Sequence, residues 1–195
     1  MLKVGITGGI GSGKSTVCKI FEQLGIPIYY ADDRAKVLMV EDAQLIVEIK
    51  ALLGTEAYTD DGQLNRAYVA NVVFQDPDKL SQLNTLVHPA VAKDGEEWQK
   101  KQQNAPYTLK EAALLYEAGS YRVLDKIICV VAPEEMRIER VRKRDQINRA
   151  AVRARIDKQW PQAKKARLSD FLIYNDGSQS LIQQVMRIHH RLIKP

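Results

Sequence analysis

A glycine-rich segment near the start of the chain carries the strongest chemical signal in the sequence. It reads GGIGSGKS from Gly8 to Ser15 and fits G-x-x-x-x-G-K-[ST], the pattern of a phosphate-binding loop. Glycines let the backbone curl until several N–H groups point at one anion, and the following helix adds its positive end. The Lys14 ammonium would reach the β- and γ-phosphates of a nucleoside triphosphate, and the Ser15 hydroxyl would bind Mg²⁺.

The residues on either side of this loop fit the same interpretation. A short apolar run, Leu2 to Thr7, precedes it, and residues 16–24 have apolar side chains at helical spacing. A strand, a loop and a helix in this order are the context that the motif requires, although a glycine-rich turn without a ligand would look similar. We expect nucleotide binding. The predicted binding residues of the loop are Gly9, Ile10, Gly11, Ser12, Gly13, Lys14, Ser15 and Thr16.

Two adjacent carboxylates follow the second predicted strand. Residues 26–30 have the composition of a strand, and Asp32 and Asp33 come directly after it, where a helix is predicted to begin. Ligands of an open α/β sheet bind beyond the carboxyl ends of its strands, so a carboxylate here could accept the proton of an attacking hydroxyl group. Capping of the next helix is the structural alternative for Asp32. We favour the catalytic role.

Positive charge is concentrated in one part of the chain. The net charge is +5, yet residues 134–167 contain twelve Lys or Arg against five Asp or Glu, and the rest of the chain is net negative. Arg137, Arg140 and Arg144 fall on one helix face. A charged helix face is often simply exposed to solvent. Three neighbouring guanidinium groups repel one another, however, and so favour a bound anion, and arginine can form two hydrogen bonds to a phosphate group. We therefore expect this segment to act on the phosphates of a small substrate.

Composition argues against several other classes of protein. The hydrophobic and charged fractions, 45% and 27%, are those of an ordinary soluble globular domain. No apolar run approaches the roughly 20 residues of a membrane span, and Met1 leads into a strand without a signal-peptide core. Cys18 and Cys129 are predicted to be packed thiols. We expect a cytoplasmic protein without membrane or nucleic-acid partners, either a monomer or a weak homo-oligomer.

The order of the predicted elements indicates one domain, residues 1–195, with two helical additions. Five strands with intervening helices predict a three-layer α/β fold around a parallel sheet. Helical patterns between the second and third strands are too long for one crossover, so they predict an inserted subdomain that binds the acceptor. The predicted parts are a core of residues 1–40, 105–136 and 169–195, an acceptor-binding insertion of residues 41–104 and a basic lid of residues 137–168.

Several local features give more specific expectations. The apolar run after Tyr107 predicts a strand that continues to Glu117, whose carboxylate would serve the Mg²⁺ water shell, bind the acceptor, or cap the following turn. The pair His88-Pro89 predicts a break between helices, and a histidine in such a place is more often structural than catalytic. The predicted helix N-caps are Asn65, Asn148 and Ser178.

Together these segments resemble the bacterial dephospho-CoA kinase family over nearly the whole chain. The glycine-rich motif is the only segment that is specific alone; the order and spacing of the set make the resemblance specific. The segments are Gly5–Ser15, Ala31-Asp32, Asp61–Arg66, Leu83-Asn84, His88-Pro89, Leu114–Glu117, Arg140 with Arg144-Asp145, Arg155 with Gln159, and Asn175–Ser178. The resemblance implies a P-loop kinase fold and transfer of phosphate from ATP, with Mg²⁺, to the ribose 3′-hydroxyl of dephospho-CoA.

The resemblance also implies roles for individual residues. Asp32 matches the general base of the family, and Arg140 matches the arginine of its lid, so both join Lys14 as predicted catalytic residues. Arg144 and Asn175 match positions near ATP. The residues that match the lining of the acceptor site are His88, Leu115, Tyr116 and Glu117.

The chain departs from the family pattern at a few positions. Tyr30 stands where the family has the first aspartate of Asp-Ala-Asp, and Asp33 cannot replace it because adjacent side chains diverge. Ala113 and Tyr116 stand in place of Pro and Phe, and Tyr174 in place of an acid before the final Asn. None of these changes removes Asp32, so they affect the tuning of the reaction more than its chemistry.

Two other functions are compatible with the motifs. A related small-molecule kinase that phosphorylates a nucleoside monophosphate or a sugar acid would share the loop, the insertion and the lid. A nucleotide-dependent regulatory module belongs to a different class, and the guanine-binding pattern Asn-Lys-x-Asp of GTPase switches does not occur in the sequence.

Overall fold

A parallel β-sheet gathers strands from distant parts of the chain. In the computed structural model, which describes residues 1–194, five strands lie in the order β2-β3-β1-β4-β5. Every neighbouring pair is parallel, so all five carboxyl ends lie at the same edge of the sheet and the predicted architecture is confirmed. The strands are β1 (Leu2–Thr7), β2 (Ile28–Tyr30), β3 (Tyr107–Glu111), β4 (Lys126–Val131) and β5 (Phe171–Tyr174). Pro195, the last residue of the predicted core segment 169–195, lies outside the described residues.

Nine α-helices connect or follow these strands in residues 1–194. They are α1 (Lys14–Gln23), α2 (Ala31–Glu41), α3 (Ala43–Leu53), α4 (Arg66–Gln75), α5 (Pro77–Lys100), α6 (Glu134–Asp145), α7 (Arg149–Asp157), α8 (Gln162–Leu168) and α9 (Leu181–Ile193). In this part of the chain, no helix has both the length and the apolar character needed to cross a membrane.

Two of the three predicted N-caps are confirmed and one is wrong. The side chains of Asn65 and Asn148 accept hydrogen bonds from backbone N–H groups in the first turns of α4 and α7. Ser180 caps α9 instead of Ser178. The reason is local, since the backbone N–H and the hydroxyl of Ser178 both donate to the carboxylate of Asp176 and form a separate turn.

The chain divides into two compact units. The first consists of Met1–Tyr30 and the chain from Lys101 onward, and it contains the whole sheet; the second is Ala31–Lys100 and contains α2 to α5. In the first unit, one face of the sheet packs against α1 and α9 around Phe21 and Tyr107. Cys18 and Cys129 are buried free thiols, as predicted. Burial raises the pKa of the Cys129 thiol to about 11, which keeps it protonated at neutral pH.

The predicted break at His88-Pro89 is wrong, because α5 continues through Pro89 to Lys100. Proline removes one backbone hydrogen bond and disfavours a helix interior. Val87 and Val91 lie on the same side of the helix, before and after the proline, and both side chains are buried. Their burial compensates for this loss. Asp94, one turn further on, accepts two hydrogen bonds from the guanidinium group of Arg34 at 2.7 and 2.9 Å.

The predicted strand Tyr107–Glu117 is too long, because β3 ends at Glu111. Its partner β1 sets the limit: Ile6 pairs with Glu111, and after Thr7 the chain leaves the sheet. Beyond that point the backbone of residue 113 bonds to side chains, since its carbonyl oxygen accepts from the Thr7 hydroxyl at 3.3 Å and from the Lys165 ammonium at 2.8 Å. An apolar run alone does not show where a strand loses its neighbour.

Helix α9 provides a matched test of the core. Ile188 is 5% exposed and packs in the core of the first unit, whereas Ile182 on the same helix is 61% exposed. We expect Ile188→Ala to lower the free energy of unfolding by about 2–5 kcal/mol. The same change at Ile182 should cost less than about 0.5 kcal/mol. Urea denaturation followed by circular dichroism measures both, and equal losses would contradict the described packing.

Candidate active site

The loop between β1 and α1 leaves a group of backbone N–H donors uncommitted. Gly11 and Gly13 have φ values of 77° and 92°, a left-handed conformation that lets the chain curl around a centre. Within residues 1–194, no hydrogen bond uses the backbone N–H groups of Gly11, Gly13, Lys14 or Ser15. Such a set of donors at a helix N-terminus binds phosphate oxygens. The arrangement can therefore hold an anion.

Close packing explains why this loop needs glycines. A Cβ atom on Gly8 would lie 2.3 Å from the carbonyl oxygen of Val130, which is backbone of the neighbouring strand β4. A Cβ atom on Gly13 would lie 2.1 Å from Nδ2 of Asn175, which donates a hydrogen bond to the carbonyl oxygen of Ser12 at 2.8 Å. The structure thus brings Asn175, predicted to lie near the nucleotide, directly against the loop. Its role in binding stays a prediction.

Lys14 is the first residue of α1, and its side chain reaches back to the beginning of the loop. Its ammonium group donates to the carbonyl oxygen of Gly8 at 3.2 Å and lies 3.7 Å from the carboxylate of Glu111, and both side chains are largely buried. Glu111 is the last residue of β3, next to β1. Sequence reasoning missed Glu111 and placed the acid at the end of this strand at Glu117, because it assumed a longer strand. The correct strand end would have identified it.

Glu117 forms a second buried ion pair. One of its carboxylate oxygens lies 2.7 Å from the ammonium group of Lys165 and accepts a hydrogen bond from the backbone N–H of Trp160 at 2.8 Å. The other oxygen is buried and makes no hydrogen bond in residues 1–194. Burial lowers the pKa of Lys165, and Glu117 opposes this shift by stabilising the ammonium form. Lys165 was missed because its type and neighbours match those of the exposed lysine beside it.

The three arginines predicted to share a face of α6 have different surroundings. Arg140 donates to the carbonyl oxygen of Asn175 at 3.0 Å and to that of Gly11 at 3.5 Å, so it fastens α6 to the loop. Arg137 is 4% exposed, and its Nε atom has no hydrogen-bond partner in residues 1–194. Burial lowers the pKa of Arg137. Arg144 is mostly exposed and pairs with Asp145 at 2.6 Å.

The predicted acceptor residues are divided between the two units. In the first unit, Leu115 is fully buried, and the hydroxyl of Tyr116 lies 2.9 Å from that of Ser169. The Tyr116 ring also stacks on Trp160, with 6.2 Å between the ring centroids. In the second unit, Asp32 is the second residue of α2 and His88 lies on α5; both are exposed. The roles of these residues in acceptor binding and catalysis stay predictions.

The ion pair of Lys165 gives a prediction with a matched control. Lys165→Met would leave the Glu117 carboxylate buried without its cation, so we expect the free energy of unfolding to fall by about 3–5 kcal/mol. Lys164→Met removes only an exposed cation–π contact with Trp160 and should cost less than about 1 kcal/mol. Chemical denaturation of both variants checks this difference. A Lys165→Met protein as stable as the wild type would show that the pair contributes nothing to folding.

Comparison with known proteins places this arrangement in one family. The family model described as dephospho-CoA kinase matches residues 2–180. The dephospho-CoA kinase of Chlorobaculum tepidum is 39% identical over 199 residues, which covers 98% of this chain and 95% of that protein.

Solved structures agree with the sequence comparisons. The dephospho-CoA kinase from Campylobacter jejuni superposes with a TM-score of 0.70 at 26% identity, covering 97% of this chain and 96% of that one. A solved protein from Thermus thermophilus gives a TM-score of 0.87 at 31% identity, covering 100% of this chain and 98% of that one. The fold is therefore that of the P-loop kinases, and this chain belongs to the dephospho-CoA kinase family.

Proposed function

We propose that this protein transfers the γ-phosphate of ATP to the ribose 3′-hydroxyl of dephospho-CoA, giving coenzyme A and ADP. The observation that carries the proposal is the open set of backbone N–H groups of Gly11, Gly13, Lys14 and Ser15, in a chain that belongs to the dephospho-CoA kinase family. These donors suit the phosphates of a nucleotide. The family supplies the identity of the nucleotide and of the acceptor.

Lys14 would neutralise negative charge on the β- and γ-phosphates. Its ammonium group already lies at the start of the loop, where its only partners in residues 1–194 are a neutral carbonyl oxygen and the Glu111 carboxylate at 3.7 Å. A phosphate oxygen is a stronger acceptor than a carbonyl oxygen because it is charged. We infer that Lys14 exchanges the carbonyl of Gly8 for phosphate, while Glu111 keeps the ammonium group directed toward this edge of the sheet.

Arg140 would stabilise charge that develops during transfer. Its guanidinium group is held between the loop and the segment after β5 by hydrogen bonds to Gly11 and Asn175. Because a positioned cation needs little rearrangement when charge moves onto the phosphates, it lowers the barrier more than a mobile one does. The helices of the proposed lid, residues 137–168, would exclude water and so limit hydrolysis of ATP.

Asp32 would orient the acceptor and take its proton. The residue follows the end of β2 by two positions, and the last residue of β2 pairs with Glu111. We propose that the 3′-hydroxyl oxygen forms a bond to the γ-phosphorus, that the bond from this phosphorus to the β-phosphate oxygen breaks, and that the hydroxyl proton passes to the Asp32 carboxylate. Residues of the proposed insertion, among them His88, would hold the rest of the acceptor.

The residues of the loop fit a magnesium ion that arrives with the nucleotide. The side chain of Ser15 is exposed in the first turn of α1, and its hydroxyl makes no hydrogen bond in residues 1–194. Within the same residues, no group of three or more His, Cys, Asp or Glu could hold a metal ion. Mg²⁺ in kinases commonly uses one or two protein ligands and completes its shell with water and phosphate oxygens. We propose Ser15 as that ligand; the ion would draw charge from the transferred phosphate.

We also propose a cytoplasmic protein without nucleic-acid partners, as a monomer or a weak homo-oligomer. Two buried free thiols fit a reducing compartment. The excess positive charge belongs to α6, α7 and α8, where arginines contact the phosphate-binding loop or carboxylates. This distribution suits a small anionic substrate better than a polynucleotide.

The adjacent aspartates of α2 give a test of the proposed base. Asp32→Asn should leave the Kd for ATP unchanged and lower kcat by about two orders of magnitude or more, because the amide cannot accept the proton. Asp33→Asn serves as the control, since Asp33 pairs with Lys36 at 2.6 Å on the exposed side of the same helix turn. Steady-state kinetics and calorimetry measure both effects. Normal turnover by Asp32→Asn would remove this residue from the mechanism.

The acceptor can be identified directly. Purified protein with ATP and Mg²⁺ should release ADP rapidly when dephospho-CoA is present and slowly with AMP or gluconate. Mass spectrometry should then show one added phosphate on dephospho-CoA. Rapid ADP release with AMP or gluconate and none with dephospho-CoA would identify a related kinase of different specificity.

A further inference from the structure

The side chain of Gln159 is bonded to the phosphate-binding loop. Its Oε1 atom accepts a hydrogen bond from the backbone N–H of Ile10 at 2.9 Å. Because this N–H is a donor, the carboxamide must present its oxygen, which leaves the Nε2 donor on the other side of the group. In residues 1–194, Nε2 donates a hydrogen bond to no protein group. A half-buried donor beside the loop therefore has no protein acceptor among residues 1–194.

The segment that carries Gln159 is held in place at several points. We call residues 159–162, between α7 and α8, the strap. Next to Gln159, the backbone N–H of Trp160 donates to Glu117 at 2.8 Å. The side chain of Gln162 both accepts from and donates to the backbone of Ala132, at 3.2 and 3.0 Å. These bonds fix the strap, so the position of the Gln159 carboxamide is defined by the fold.

Ile10 belongs to the half of the loop that receives the terminal phosphate. The ammonium group of Lys14, which in such loops contacts the β- and γ-phosphates, lies 3.2 Å from the carbonyl oxygen of Gly8. The opposite half of the loop, at Gly13, leads into the N-terminus of α1. Gly8 and Ile10 thus mark the γ-phosphate end. The Gln159 carboxamide is bonded to the loop at that end.

Open space lies beside the strap. A cavity of about 570 Å³ is bordered by Gln159 and Trp160 of the strap, by Arg137 of α6, and by Ala132 at the end of β4. The buried Nε atom of Arg137 also lacks a partner in the described chain. The cavity is also bordered by Glu134, Asp176 and several apolar side chains, and none of residues 8–15 lines it, so it is not the phosphate cradle itself. The carboxamide of Gln159 borders this space and bonds to the loop, and it is therefore not enclosed by protein.

We propose that Gln159 recognises the terminal phosphate of the bound nucleotide. Oε1 stays on the N–H of Ile10, and Nε2 donates to an oxygen of the γ-phosphate. This contact distinguishes a triphosphate from a diphosphate, because ADP has no acceptor at this place. Because this contact is lost after phosphate transfer, nucleotide binding becomes weaker, which favours release of ADP. The proposal rests on the proposed phosphate transfer from ATP and assigns one protein donor to the transferred group.

Gln159→Glu tests the proposal because it retains an oxygen that accepts from Ile10 and replaces the Nε2 donor with a negatively charged oxygen. The new carboxylate also repels the γ-phosphate. We expect the Kd for ATP to rise roughly 10- to 100-fold, and the Kd for ADP to change less than about threefold. Isothermal titration calorimetry with each nucleotide and Mg²⁺ measures both values. Gln183→Glu, on the exposed side of α9, adds the same charge elsewhere and should alter neither Kd.

Gln159→Leu provides a second variant without an added charge. It also removes the acceptor of the Ile10 N–H, so both Kd values should rise, with the Kd for ATP rising about tenfold more than that for ADP. Equal changes in the two Kd values, for either variant, would overturn the proposal and leave Gln159 as a support for the loop alone. The titrations contain no acceptor. A selective loss of ATP binding in these variants, together with failure of the wild-type protein to phosphorylate dephospho-CoA, would therefore refute the proposed acceptor and still support the role of Gln159.

Discussion

The structure depends on a loop that keeps backbone N–H groups away from hydrogen-bonding partners. A partly buried N–H group without a partner costs about 1–3 kcal/mol, so the open conformation of residues 11–15 must be held by other contacts. Three side chains supply them. Asn175 bonds to Ser12, Arg140 to Gly11, and Gln159 to Ile10. Each comes from a segment at least 129 residues away in the chain, so the loop is shaped by the whole first unit.

The buried cations around the loop also favour a bound anion. Among residues 1–194, Lys14 pairs only with Glu111, at 3.7 Å, and Arg137 only with Glu134, at 3.6 Å. Cations in such surroundings are stabilised by an additional anion, because a single distant carboxylate does not replace the water that burial removes. The nucleotide phosphates would accept hydrogen bonds from the open N–H groups and would neutralise these cations. Much of the order required for binding is therefore already present in the folded protein.

The sequence predicted the features that depend on local chemistry. The phosphate-binding loop, the parallel sheet and the caps at Asn65 and Asn148 follow from residue type and spacing. Features set by distant contacts were not predictable. The end of β3 depends on where β1 leaves the sheet, and the continuity of α5 through Pro89 depends on tertiary packing.

The same limit applies to the candidate site. Lys164 and Lys165 are identical in the sequence, yet only Lys165 is buried beside Glu117. Arg137, Arg140 and Arg144 repeat on one predicted face, but two of them contact or border the loop and the third lies in solvent. Gln159 was visible only as part of a family motif, because nothing in its local sequence indicates a bond to Ile10. Side-chain roles of this kind require coordinates.

One measurement tests the central claim most directly, which is that the open N–H groups of the loop receive the phosphates. The backbone amides of Gly11, Gly13, Lys14 and Ser15 can be followed by NMR while ATP and Mg²⁺ are added. Charged acceptors form strong hydrogen bonds, so these four resonances should move far downfield together and saturate with the Kd found by calorimetry. Binding of ATP with no change at these amides would show that the nucleotide is held elsewhere and would contradict the account.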